Sequence, residues 1–530
     1  MSVGIITAAA YINPEMSAEF GLLPPAFLPV GNTRLFKHQA ALLEKLTDRI
    51  VLTVPNSFVV PPYDVRLLAS LGITVIHIPD GLSLAQSVML AIIQSIEGDE
   101  PVVILHGDTL FLEAESFAFD RISVHGKDHP YPWALVESDE PLTVSPSADG
   151  AGGNLVSGLF SFSRSLTFLK CLAEASTNFL SALNAYARQC PEFCAAYDCG
   201  EWLDFGHLNT YYDSRRALTT QRAFNTLSIV RNVVSKTSTQ NGKMDAEAAW
   251  FEGLPAPLRP YVPAYLGRLN EYAHASGYRL AYEYLCPLSD LYVFGALPPV
   301  TWGRILNACA DVLSLFKTEK PALAEPCLVR NLYIGKATER FGDFAARSGV
   351  DPAREWRVNG KTMPSPKRII AEMAKVIDAP AEDDIAIMHG DFCLSNILFD
   401  FRRGAVKLLD PRGYIESGRP TIYGDARYDT GKLHHSIVGG YDFIIAEYFD
   451  LARDGEYELS LKVAEAAGQA KIEHLFLDII CGGDEQRLRK AAAISVLLFL
   501  SMLPLHADDE TRQWAFLANA YRLYQRDFCA

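Results

Sequence analysis

Cations are scarce in this chain. Its 48 Lys and Arg residues face 63 Asp and Glu, a formal net charge of -15. That excludes a general nucleic-acid binder, which needs a basic footprint. The opening "MSVGIITAAAYINPEM" has no basic stretch followed by a long apolar run, so it does not read as a secretory signal. The apolar run "AAAISVLLFLSMLPL" (491–505) falls short of the roughly 20 residues a membrane span needs, and Pro504 interrupts it. A buried core helix is expected there, with no membrane insertion and a cytoplasmic location. Cys190, Cys194 and Cys199 lie close together, but no His or second Cys pair completes a zinc pattern. Reduced thiols are expected. Low-complexity linkers and short repeats are missing as well.

What is present describes a folded protein. Hydrophobic residues make up 49% of the 530 positions and charged ones 21%. That length predicts two or three domains. In the first half, "VGIITAA", "RIVLTVP", "ITVIHIP" and "PVVILHGD" read as buried strands. "LFKHQAALLEKLTD" and "LAQSVMLAIIQSI" have helical spacing. Fully apolar strands separated by helices predict a parallel sheet covered on both faces. Ligands bind such sheets at the carboxyl ends of the strands, where Asp108 sits. Near residue 220 the pattern changes. "RAFNTLSIVRNVVSKTS" predicts a strand pair, "KMDAEAAWFEGL" a helix and "YRLAYEYL" a strand. From about 300 onward helices dominate. The expected partition is 1–224, then a small lobe 225–300 and a helical lobe 301–530.

The stretch "HGDFCLSNILFDFRRGAVKLLDPRG" brings Asp391, Asn396 and Asp410 onto two loops joined by a hairpin. Magnesium takes hard oxygen ligands, often one or two carboxylates plus phosphate oxygens. Phosphoryl transfer uses those parts: an acid facing the attacking hydroxyl, and an Asn and an Asp for the metal. "HGDFCLSN" resembles the H-G-D-x-x-x-x-N motif of the aminoglycoside phosphotransferase and choline kinase family, relatives of protein kinases. The resemblance implies an α+β two-lobed domain using ATP and Mg2+. Asp391 would be the catalytic base, and Asn396 and Asp410 would hold the metal. It also implies that Lys236 and Glu247 pair to position ATP, and that Tyr284 and Leu285 in "YEYL" meet the adenine. His389 and Asp429 would brace the catalytic loop. Arg412 is a candidate contact for a substrate anion. No Gly-rich loop precedes Lys236, a departure from the family.

The first 224 residues resemble sugar-phosphate nucleotidyltransferases, through "LPPAFLPVGNTRLFKHQAALL", "PDGLSLAQSV", "LHGDTLF", "NLVSGLFSFS" and "EWLDFGHLNTYYDSRR". The resemblance implies a Rossmann-like α/β domain with a mostly parallel sheet, and Asp108 and Asp204 on magnesium beside a second nucleoside triphosphate, CTP or UTP. Arg34, Lys37 and Gln86 are candidate phosphate or substrate contacts. The family's glycine-rich, Arg-containing triphosphate loop is replaced by "TAAAYINPEMSAEFGLLPP", with one Gly and no Arg. The combined expectation is a bifunctional enzyme acting on a small-molecule substrate, alone or as a homo-oligomer. It would phosphorylate a hydroxyl and then activate the product for surface polysaccharide synthesis. The alternative keeps the kinase and makes the N-terminal domain a binding module. The whole chain also resembles two-domain proteins found with bacterial capsule genes.

Overall fold

The computed structural model describes residues 1–112, 117–127, 131, 133–147, 153–197, 199–218, 225–269, 276–322, 332–415 and 419–529. The chain divides into two compact units, 1–219 with 294–296, and 220–293 with 297–530. The expected boundary at residue 224 lies outside the described residues.

Four apolar strands make the parallel centre of the first unit, in the order Val102–His106, Val3–Thr7, Arg49–Pro55, Ile73–Ile78. The inner residues of the first three are almost wholly buried, which is why they read as continuous hydrophobic runs, whereas Ile73–Ile78 at the edge exposes Thr74 and His77. The strand Gly153–Phe162 adds antiparallel to Val102–His106 and extends the sheet toward four further strands. Helix Leu84–Ser95 starts at a capping box in which Ser83 and Gln86 satisfy each other's backbone donors. It buries Ala85, Val88, Ala91 and Ile92 against the sheet. The strand order turns back at Val3–Thr7, so the crevice above its carboxyl end and that of Val102–His106 is where a ligand fits.

The second unit opens with a four-stranded antiparallel sheet that includes the hairpin Asn225–Val230 and Val233–Ser238. Its two-residue turn puts Arg231 (φ 48°) and Asn232 (φ 63°) in the left-handed region, the twist that tight hairpins require. Helix Asn241–Gly253 packs on this sheet. A helical body follows, centred on Glu485–Met502, every residue of which from Ala491 to Met502 is buried. The segment Glu485–His506 is long and apolar enough to cross a membrane, but 72% of its 18-residue apolar window is buried inside the protein, so it serves as a core helix here. The expectation of a mostly helical lobe needs one correction. Trp356–Val358, Lys361–Met363, Phe449–Gly455 and Glu458–Val463 form a second four-stranded sheet. Two of these strands have three residues, too few to display a period of two.

Candidate active sites

In the first unit, Asp108 follows Val102–His106 through Gly107, whose N–H donates to Thr7 O at 2.9 Å. Asp204 ends the strand Glu201–Asp204, which pairs antiparallel with Thr109–Leu112 so that Asp204 faces Thr109. The Phe205 N–H donates to Asp108 O at 2.8 Å and closes the junction. Two acids 96 residues apart in sequence thus flank one backbone position, Gly206. A Cβ there would fall 2.7 Å from Asp108 Oδ2 and 3.3 Å from Asp204 Oδ1, so only glycine leaves the pair undisturbed. Thr210 donates its hydroxyl to Asp204, and the Gly206 N–H adds a bond at 3.1 Å. Burial, and then the neighbouring Asp204, push the Asp108 carboxyl up to about 6. A bound cation would relieve that.

Asp108 lines two cavities. One, of about 300 Å³, is walled by Thr7, Ala10, Tyr11, Asn13 and Gly206 among others. The second, of about 500 Å³, runs past Trp133, Val156, Gly158 and Phe179. Leu84 and His106 also belong to both. Among the described residues neither lining contains Lys or Arg. Arg34 is spent elsewhere: its guanidinium makes a buried ion pair with Asp64 at 2.8 Å and donates to Phe27 O at 2.8 Å. Gln86 is engaged in the capping box, and Lys37 is exposed; neither lines a cavity. His106 escaped the sequence reading. Burial holds its imidazole down to about 4, so it is neutral, and its Nε2 has no partner among the described residues.

In the second unit, Lys236 lies on the strand Val233–Ser238 and Glu247 on helix Asn241–Gly253. Their charges meet at 2.7 Å, and Lys236 Nζ also reaches Asp410 Oδ1 at 2.9 Å. Desolvation opposes the Lys236 charge, but Asp410 and Glu247 together raise its pKa and hold it protonated. Asp410 follows the strand Ala405–Leu408 with a left-handed φ of 54°. The Leu409 N–H donates to Asn396 O at 2.8 Å, which sets the two expected metal ligands side by side. Asn396 Nδ2 donates to Asp391 O at 3.0 Å and to Asp391 Oδ2 at 2.9 Å. Asp429 accepts the N–H groups of His389 (2.7 Å) and Gly390 (2.8 Å), pinning the loop that presents Asp391. His389 is wholly buried against Trp250 and Phe392, and burial keeps it neutral, at about 4. Tyr284 and Leu285 follow the strand Ser276–Ala281, with the Tyr284 hydroxyl on Asn232 Oδ1.

Lys432 was not singled out from sequence. Its Nζ meets Asp391 Oδ1 at 2.8 Å. Burial would raise the Asp391 carboxyl, but Lys432 overrides it and holds the group well below the usual range. Asp391 is therefore a carboxylate at neutral pH. Among the described residues no three His, Cys, Asp or Glu side chains cluster to hold a metal by themselves. Asp108 with Asp204, or Asn396 with Asp410, could instead offer the one or two oxygen ligands that magnesium takes when phosphate completes its shell.

No family model and no curated protein matches the sequence. Solved structures resemble its N-terminal part. CTP:phosphocholine cytidylyltransferase from Streptococcus pneumoniae is 13% identical, over 41% of this chain and 99% of its own, with a TM-score of 0.34. The inositol-1-phosphate CTP transferase from T. maritima is 16% identical over 42% and 98%, TM-score 0.32. The nucleoside-diphosphate-sugar pyrophosphorylase from Vibrio cholerae RC9 is 16% identical over 40% and 99%, TM-score 0.32.

Proposed function

We propose that this chain is a bifunctional transferase, with a nucleotidyl-transfer site in the first unit and an ATP-dependent phosphoryl-transfer site in the second. For the first unit, one observation carries the reading: Asp108, in the wall that two cavities share, meets Asp204 across Gly206. One cavity suits a nucleoside triphosphate such as CTP or UTP, and the other a phosphorylated sugar or alcohol. Magnesium on the two carboxylates would neutralise charge on the α-phosphate. The residues position the two substrates around it, and the phosphate oxygen of the acceptor attacks in line as pyrophosphate leaves.

In the second unit, support comes from the linked set Glu247, Lys236, Asp410, Asn396 and Asp391. Lys236 would hold ATP phosphates, and Asn396 and Asp410 would hold magnesium. Asp391 orients the acceptor hydroxyl and takes its proton. In this reading the protein works in the cytoplasm, and its product is an activated donor for surface polysaccharide assembly.

The test is pyrophosphate release from each nucleoside triphosphate with magnesium and a panel of sugar and alcohol phosphates. Asp108→Asn should abolish it and Asp391→Asn should leave it intact. A second reading, a binding module joined to a kinase, draws on the lack of Lys or Arg in either cavity lining. It predicts nucleotide binding without pyrophosphate release from any pair in the panel.

A further inference from the structure

Besides Lys432, three cations near the Asp391 site form no ion pair with a carboxylate among the described residues. Arg412 lies two residues beyond Asp410, and its N–H donates to His389 O at 2.8 Å. A Cβ on Gly390 would fall 2.6 Å from Arg412 Cβ, so this side chain leaves the backbone against the Asp391 loop. The guanidinium stands over Tyr414 (5.1 Å) and Tyr428 (5.9 Å), with Nη1 3.4 Å from the Tyr428 hydroxyl. Its Nε is buried without a hydrogen-bond partner among the described residues. The Tyr428 ring packs on Tyr333 at 5.4 Å, at the start of helix Ile334–Ser348. Lys336 and Arg340 follow on that helix four residues apart, hence on one face. Arg340 Nη1 donates to the backbone O of Ser501 at 3.3 Å. The acid closest to hand, Asp391, is already held by Lys432. Among the described residues Lys336, Arg340 and Arg412 have no acidic partner. All three are half-buried.

Half-buried cations without counter-charges destabilise a fold. Burial, and then Arg412, Arg340 and Lys432, pull the Lys336 ammonium down to about 6. Burial and Arg412 lower Arg340 too. A cationic alcohol would be repelled here. A phosphate dianion bound here would answer the charges of Arg340 and Arg412 and restore the Lys336 ammonium, which a single carboxylate charge would not.

We propose that the second unit phosphorylates a hydroxyl compound that already carries a phosphate monoester, and that Lys336, Arg340 and Arg412 receive that phosphate. The role given to the hydroxyl rests on the phosphoryl-transfer reading above; the anion site does not. In the transfer, a bond forms between the acceptor oxygen and the γ-phosphorus of ATP. The γ-phosphorus bond to the bridging oxygen of ADP breaks, and the hydroxyl proton passes to Asp391. The product carries two phosphate monoesters.

The experiment uses the full chain saturated with Mg-ADP and inorganic phosphate as the probe. Phosphate should raise the melting temperature. Lys336→Gln and Arg412→Gln should each bind phosphate roughly 10-fold more weakly, as expected for one lost charge-assisted contact. Without phosphate, Lys336→Gln should melt higher than wild type, which separates a lost site from a damaged fold. Labelled γ-phosphate should pass to hexose 6-phosphate in preference to hexose or choline, and only when Asp391 is intact. An equal phosphate response in wild type and both variants overturns the proposal, and so does preferential labelling of hexose or choline. If nothing in the panel is labelled, the phosphate response decides alone. If Mg-ADP does not bind but Lys336→Gln still removes the phosphate response, the phosphoryl-transfer reading falls and the anion site stands.

Discussion

Lys236 holds two carboxylates on one ammonium, with side chains only 6% and 2% exposed for Lys236 and Glu247. Removing the cation leaves the buried Glu247 with only the half-exposed Lys243, 3.8 Å away, as counter-charge. Lys236→Met should therefore destabilise the second unit by about 3–5 kcal/mol, as broken buried pairs do. Adding Glu247→Leu should restore much of that stability in denaturant unfolding, but not ATP binding. Lys336 behaves in the opposite sense. Its folded pKa, about 6, lies below its ordinary 10.5, so between those values the unfolded chain binds more protons. Stability should thus rise with pH across that window. Lys336→Met should flatten the rise, and unfolding curves from pH 6 to 10 check the sign. The grouping of side chains was legible in the sequence where local spacing defines it, as for Asp391, Asn396 and Asp410. It was illegible where a distant partner decides. Nothing near Arg34 reveals that Asp64 engages it, and nothing near Lys432 reveals that it pairs with Asp391.

Elements carry these side chains to their places. Helix Arg427–Ile437 bears Asp429 and Lys432 on the side of the Asp391 loop, and its Gly431 packs on Ile494 of the buried helix Glu485–Met502. A Cβ at Gly431 would lie 2.3 Å from Ile494 Cγ2. Gly431→Ala should cost about 1–3 kcal/mol through overpacking. It should also lower phosphoryl transfer, because the helix can yield only by moving Asp429 and Lys432. Melting and kcat measured on the same preparation would couple the two effects. The exposed turn at Arg231 offers a contrast. Asn tolerates the left-handed conformation better than Arg does, so Arg231→Asn should stabilise the hairpin by about 0.5–1 kcal/mol and leave activity unchanged. Three of the four parallel strands of the first unit were readable because burial on both faces makes them largely apolar, and Ile73–Ile78 at the edge because its Ile and Val residues outweigh the exposed Thr74 and His77. The small sheet built from Trp356–Val358 and its neighbours was not, because two of its four strands, Trp356–Val358 and Lys361–Met363, are too short to show alternation.

On the scale of the whole molecule, a net charge of -15 coexists with a local group of uncompensated cations. Bulk charge excluded a general nucleic-acid partner but said nothing about one pocket. Two sites in two compact units also make a stoichiometric prediction. Equilibrium dialysis should find two Mg-nucleotides per chain, with Lys236→Met removing one and Asp108→Asn weakening the other. Binding of a single nucleotide, lost with Lys236→Met, would favour the kinase-only alternative.

The two cavities of the first unit have Asp108, His106 and Leu84 as a common wall. One molecule could therefore occupy both at once. A nucleotide tethered to a phosphorylated alcohol by a short linker would turn its second contact into an intramolecular event. It should bind about 10²–10⁴-fold more tightly than either half alone. Such a bisubstrate compound would be both an inhibitor and a ruler. Varying the tether length would measure, in solution, how far apart the reacting groups are held.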